Sequence, residues 1–379
     1  MSPFLYVGGG RAGAHSQMTR ECDMLGAFLM RALLLVAVLA VGLDAQVIGT
    51  VPYNLVRLDP ALDSILTPDS PLEILGEHFG LTEGPVWVKD ATGGYLLFSD
   101  CAANVIYKWQ ANAPLTVFLE RSGFTGTSNL NAGQQTIAGR LAILLIGSNG
   151  LALDPQGRLI ITAMADRTLV RLEKDGSRTT LADRYEGKRL SGPNDVAVKS
   201  NGSIYFTDSV NGLRGGGDSP QRELPYTGFY LWREGKLTLL GGDRDRPGEN
   251  PNGIALSPDE KTLYVTAGFR KTLAYDVLPD DTVANPRVFV EAGNDGIKTD
   301  NQGNVYQVNA AGQGEILITA PSGKRLGTIQ LPQIAGEPRP RICASNVAFG
   351  DADGKTLYIT SCTHLFRVRL KVSGLRADR

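Results

Sequence analysis

Six positions in this chain carry a side-chain oxygen at the same point of a recurring phrase: Glu83, Asn149, Asn194, Asn252, Asp295 and Asn346. Four of the phrases read NGLALDPQGRLIITA, NDVAVKSNGSIYFTD, NGIALSPDEKTLYVT and NVAFGDADGKTLYIT, and the other two open EGPVWV and DGIKTD. A single Asn at such a point is ordinary, because its side chain mimics a backbone turn and tolerates left-handed conformations. Two carboxylates among four amides ask for more. Brought together, the acidic pair repels unless a proton or a cation intervenes. Oxygen ligands without nearby His or Cys describe a hard-cation site, suited to Ca2+ first and to Mg2+ or Mn2+ next. The small residues that follow most of these openers, Gly84, Gly150, Gly253 and Gly296, would let the backbones crowd there.

The phrase also says how six such positions meet. In each, an apolar, β-branched run reaches a turn of Asp, Pro, Gly and Asn, and a second such run follows, which predicts a β-hairpin. The openers stand about 43 to 66 residues apart, a spacing that includes that of propeller blades. Most copies continue into further short strands, such as TLVRLEKDGSRTTLA and GFYLWREGKLTLL, giving four strands per repeat. No sustained helical period runs through residues 76 to 370. The expected fold is all-β, a six-bladed propeller of four-stranded antiparallel blades, in which the first strand of every blade lines the axis. Ring closure is expected from LEILGEHF (72–79) added to the blade that ends in HLFRVRL (364–370), since an open stack would leave exposed strand edges.

Composition narrows the partners. The 379 residues carry a net charge of −1 with no basic block, which excludes a phosphate-tracking nucleic-acid surface. The 45 glycines suit a chain full of tight turns. Residues 30–45, MRALLLVAVLAVGLDA, place Arg31 before an apolar run too short to span a bilayer and end at a small residue. Residues 1–45 are therefore expected to be an N-terminal extension and signal peptide cleaved near Ala45, with an uncleaved anchor as the alternative. Residues 46–379 would form the propeller, in a periplasmic or secreted protein with no stable membrane span, as a monomer or small homo-oligomer. Such a chain keeps Cys101, Cys343 and Cys362. A hairpin turning at DADG puts Cys343 opposite Cys362, compatible with a disulfide or with two buried thiols.

With those residues in hand, the chain resembles the senescence marker protein/gluconolactonase family, six-bladed propellers that include calcium- or zinc-dependent lactonases. The resemblance rests on LDPALDSILTPDSPLEILGEHFGLTEGPVW, LADRYEGKRLSGPNDVAVKSNGSIYFTD, ENPNGIALSPDEKTLYV and SNVAFGDADGKTLYITSC. It implies one divalent cation, Ca2+ or another of Zn2+, Mg2+ and Mn2+, held by Glu83, Asn194, Asn252 and Asp295. It makes Asp295 the general base as well, and leaves Asn149 and Asn346, with Asn194, to contact substrate. Three stretches depart from the family pattern: AMADR (163–167), SVNGL (209–213) and residues 121–148 with their apolar LAILLI.

The chemistry implied is hydrolysis of a small-molecule lactone, with the cation polarising the carbonyl and either Asp295 or the cation itself activating water. A nucleophilic triad is not supported, because His15, His78 and His364 lie in no motif and no G-x-S-x-G elbow is present. His364 is expected on a last-blade strand in a packing or surface role, and His78 to pack at the ring closure. An ester or organophosphate hydrolase on the same site, and a non-catalytic calcium-stabilised binding module, are the competing readings.

Overall fold

Each recurring phrase folds as an antiparallel hairpin, and local chemistry accounts for its turn. The strands Ser148–Leu153 and Leu159–Ala163 pair with Leu153 opposite Leu159 and Leu151 opposite Ile161. Between them Asp154 Oδ1 accepts hydrogen bonds from the amides of Gln156 and Arg158, at 3.0 and 2.8 Å. Gly157 completes the turn at a φ of 73°, where a side chain would be strained. Two further strands, Thr168–Leu172 and Arg178–Ala182, complete a four-stranded sheet.

This computed structural model describes residues 47–137, 141–246, 248–268, 270–309, 314–332 and 343–375. The segment expected to direct export, residues 1–45, lies outside them. The sheets that begin at Pro193 and Pro251 repeat the four-stranded arrangement. Six innermost strands, from the Glu83 end of Leu72–Val88 to Asn346–Gly350, contact one another in chain order, and the last returns to the first. The molecule is the expected six-bladed, all-β propeller. Among the described residues helical structure is limited to the 3-10 turns Pro60–Ser64, Val210–Gly212 and Gly216–Asp218.

The ring closes as the sequence predicts. Leu72–Val88 is the outer strand of the last blade over its first half and the inner strand of the first blade over its second. Val368 pairs with Leu72, Phe366 with Ile74 and His364 with Glu77, and the Arg367 guanidinium bonds the Glu73 carboxylate. Two additions were not foreseen. Gly49–Val51 extends the last blade by pairing with Leu72–Ile74, and Asn54–Arg57 adds a fifth strand to the fifth blade opposite Gly327–Gln330. Leu62 then seats fully buried against Gly327, where a Cβ would come within 2.5 Å of it.

Apolar side chains from facing blades fill the spaces between them. Tyr306, Val308 and Ile318 of the fifth blade share a cluster with Val347, Leu357 and Ile359 of the sixth. Each such side chain contributes about 1.5–3 kcal/mol on burial. Cys343 and Cys362 form a disulfide with Cα atoms 5.7 Å apart, and Cys101 is a buried free thiol. His364 is buried and stacked on Phe366 at 5.6 Å, a packing role. His78 corrects its expectation. It lies on the closing strand at a φ of 67°, which turns its side chain outward to 89% exposure beside Glu77.

Candidate active site

All six openers lie on one ring, and each reaches the next. A Cβ on Gly84 would stand 1.9 Å from the Asn149 carbonyl oxygen, and one on Gly150 would meet the Asp195 Cα at 2.7 Å. Likewise Gly253 abuts the Asp295 carbonyl at 2.3 Å and Gly296 the Asn346 amide at 2.2 Å. Only residues without a Cβ allow inner strands so close. The Ile254 amide donates to Asp195 Oδ2 at 3.2 Å, joining the third blade to the fourth. Asn346 Nδ2 donates to Glu83 Oε2 at 3.3 Å and closes the circle.

A second device, not recognised in the sequence, fixes the openers. In the first four blades a hydroxyl near the end of the second strand donates to the carbonyl of the next blade's opener. Ser99 reaches Asn149 at 2.8 Å, Thr162 reaches Asn194 at 2.6 Å, Thr207 reaches Asn252 at 2.6 Å and Thr266 reaches Asp295 at 2.9 Å. The signal was legible as the Ser or Thr of FSD, ITA, FTD and VTA. Asp208, which follows Thr207, accepts from the Ser191 and Gly192 amides and so holds the approach to Asn194. Burial pushes its carboxyl up to about 6.

Electrostatics separate the members of the ring. Burial, with the Asp195 carboxylate next, pushes Glu83 up to about 7, while the Gly84 amide, the Asn346 amide and Lys298 draw it down. Burial pushes Asp295 well above the usual carboxylate range, helped by Glu83 and Asp195, against hydrogen bonds from Asn252 and the Gly296 amide. Each raised carboxyl is thus held by one amide side chain: Glu83 by Asn346 and Asp295 by Asn252. Asp195 is the site residue that sequence reasoning missed. It is 1% exposed, and its Oδ1 accepts from the Val196 amide at 2.9 Å.

Among the described residues no three His, Cys, Asp or Glu side chains gather closely enough to hold a metal ion by themselves. A cation here therefore needs amide oxygens, which the ring supplies. Asn149 Oδ1 is buried and finds no hydrogen-bond donor among the described residues, so one acceptor on the ring is left for a ligand. The donor set is oxygen throughout, and it fits a hard divalent cation. Asn194 is buried with its carbonyl held, and Asn346 has committed its Oδ1 to the Val347 amide at 2.9 Å.

The three departing stretches meet one another. Residues 121–148 contain a hairpin, Gly133–Ile137 with Leu141–Leu145, docked on the loop of the third blade. Ala132 bridges Leu213, and the Arg214 amide donates to the Asn131 carbonyl at 2.9 Å. Ile143 and Leu145 bury against Leu81, Cys101 and Met164, the last from AMADR. Asp166 of the same run accepts from the Thr125 hydroxyl at 2.8 Å.

A family model described as the SMP-30/Gluconolactonase/LRE-like region matches residues 81–363, which include all six openers. The chain belongs to this family. A gluconolactonase of Zymomonas mobilis is 33% identical over 342 residues, spanning 86% of this chain and 88% of the relative. The solved structure of a gluconolactonase from Xanthomonas campestris matches with a TM-score of 0.65 at 28% identity, covering 85% of this chain and 97% of that one. A calcium-binding regucalcin from Agrobacterium tumefaciens matches with a TM-score of 0.57 at 18% identity, over 80% of this chain and 96% of that one. That last likeness bears on the fold alone. Among the described residues no helix is long and apolar enough to cross a membrane.

Proposed function

We propose that this SMP-30/gluconolactonase family member is a divalent-cation-dependent hydrolase that opens sugar lactones such as gluconolactone. Its likeness to a gluconolactonase over most of both chains supports the substrate class. The observation that carries the cation is the pair of raised carboxyls, Glu83 and Asp295, on a ring of amides with one unmatched acceptor. Glu83, Asn194, Asn252 and Asp295 would hold the ion, Ca2+ first, as in the calcium-binding regucalcin of the same fold, with Zn2+, Mg2+ or Mn2+ as alternatives. When bound, it supplies a Lewis acid that polarises the lactone carbonyl.

The chain's own residues do the rest. Asp295 takes the proton of the attacking water and later returns it to the leaving alkoxide, a role that needs its carboxyl ionised, the form a bound cation would favour. Asn252 holds that carboxyl in one orientation, and Asn346 does the same for Glu83. Asn149 Oδ1 accepts from a substrate hydroxyl, alongside the Asn194 and Asn346 side chains. The reading extends to export, supported by the Cys343–Cys362 disulfide and by the apolar run before Ala45. N-terminal sequencing of secreted protein should then begin near Gln46.

The test is turnover of gluconolactone, an aryl lactone and a phosphotriester by purified protein, with and without chelator. Lactone opening that chelator abolishes and Ca2+ restores supports the reading. Faster phosphotriester turnover makes the protein an ester or organophosphate hydrolase. No turnover, with a melting temperature that still rises on adding Ca2+, makes it a binding module.

A further inference from the structure

A lysine amine approaches the carboxyls of the ring. Lys298 Nζ stands 3.7 Å from Asp195 Oδ2, with the Asp195 side chain 2% exposed. The amine also acts on Glu83, drawing its carboxyl down. Its stem lies on the wall of a cavity of about 420 Å³ entering from the opposite face, beside Val196, Ile254 and Ala348. A methionine side chain would suit those apolar walls.

We propose that Lys298 is an internal counter-ion that fixes the charge of the ion the site accepts. The inference rests on the cation reading above and adds the reason for a divalent ion. Three buried carboxylates lie within reach of one another: Asp195 acts on Glu83, and both act on Asp295. With the ammonium of Lys298 they leave two negative charges, which one divalent ion neutralises. A trivalent ion would leave an excess positive charge in a poorly solvated place. Buried charges are tolerated only when compensated. Asn149 Oδ1, on a residue 5% exposed, is the independent sign that this ring receives a ligand.

The experiment is calorimetric titration of the full-length protein with CaCl2 and with TbCl3. In Lys298→Met the site with a divalent ion keeps one negative charge, so Tb3+ should gain on Ca2+ by about tenfold or more, as one extra charge interaction at an effective dielectric constant near 20 implies. Asp195→Asn should move the ratio the other way by a similar factor. The double variant should return to the wild-type ratio. Should Lys298→Met fail to fold, the Asp195→Asn shift still decides. A ratio that changes by less than about threefold in both variants, or in the same direction in both, overturns the counter-ion role. Wild-type protein that binds neither ion overturns the cation reading itself, which keeps the two failures apart.

Discussion

Asn346 Nδ2 donates to Glu83 Oε2 at 3.3 Å across 263 residues of sequence, at the seam where the last blade meets the first. Because Asn346 Oδ1 is bound to the Val347 amide, the side chain can offer Glu83 only its nitrogen. The pair orients a proposed ligand rather than supplying one more. Asn346→Leu should therefore weaken Ca2+ binding by about tenfold, the effect of losing a hydrogen bond to a charged group. Calorimetric titration checks this, and unchanged affinity would remove Asn346 from that role.

The raised carboxyls set a pH dependence with a definite sign. Glu83 rises to about 7 and Asp208 to about 6 in the folded protein, and Asp295 is raised as well. A carboxyl raised on folding favours the native state below its unfolded pKa, and that contribution is lost as pH climbs through the folded value. Metal-free protein should thus melt at progressively lower temperature between about pH 4.5 and 7.5. Surface carboxyls held low by partners, such as Asp63 by Arg57, act in a more acidic range. Saturating Ca2+ should flatten the decline, since it binds the ionised form. Melting in chelator that rises across this window would contradict the assignment.

Asp295→Asn and Glu83→Gln should differ in kind. The first keeps an oxygen and the shape but removes the base, so kcat should fall by about 10²- to 10⁴-fold even at saturating metal. The second should lose affinity first and regain much of its rate when metal is in excess. Rate against metal concentration separates them. Full rescue of Asp295→Asn would leave Asp295 a ligand only, with water activated by other means.

Leu145→Ala in the inserted hairpin should destabilise the protein by about 2–5 kcal/mol, because Leu145 is 4% exposed against Leu81, Cys101 and Met164. Leu130→Ala, at a position 74% exposed, should change stability by less than about 0.5 kcal/mol. Urea unfolding of both variants tests whether the hairpin is anchored to blades one and two.

Much of the architecture was legible because it is repeated. A six-fold phrase with a period-two pattern leaves few folds open, and the closing pairs Ile74–Phe366 and Leu72–Val368 follow from the need to cover an edge. The openers were legible for the same reason. Asp195 was not, since it follows an opener and reads as one more polar residue near a turn, and only the approach of Lys298 and Ile254 reveals its part. The strands Gly49–Val51 and Asn54–Arg57 were also missed, because three- and four-residue runs outside the repeat carry too little pattern. His78 was misplaced for want of its backbone φ, which no side-chain pattern announces.

The strand Leu72–Val88 ties residues near the start of the propeller to a strand of its last blade, as in the Glu73–Arg367 bond across 294 residues. No nascent chain can make that bond until the last blade has left the ribosome. The closing contacts therefore carry the greatest loop-closure cost and should form last, after blades with local pairing. Until then the chain is an open fan whose two end strands are bare to other molecules. A long interval of that kind favours a chain kept unfolded until it is complete, and it makes the seam between first and last blades the place where misassembly between two copies would begin.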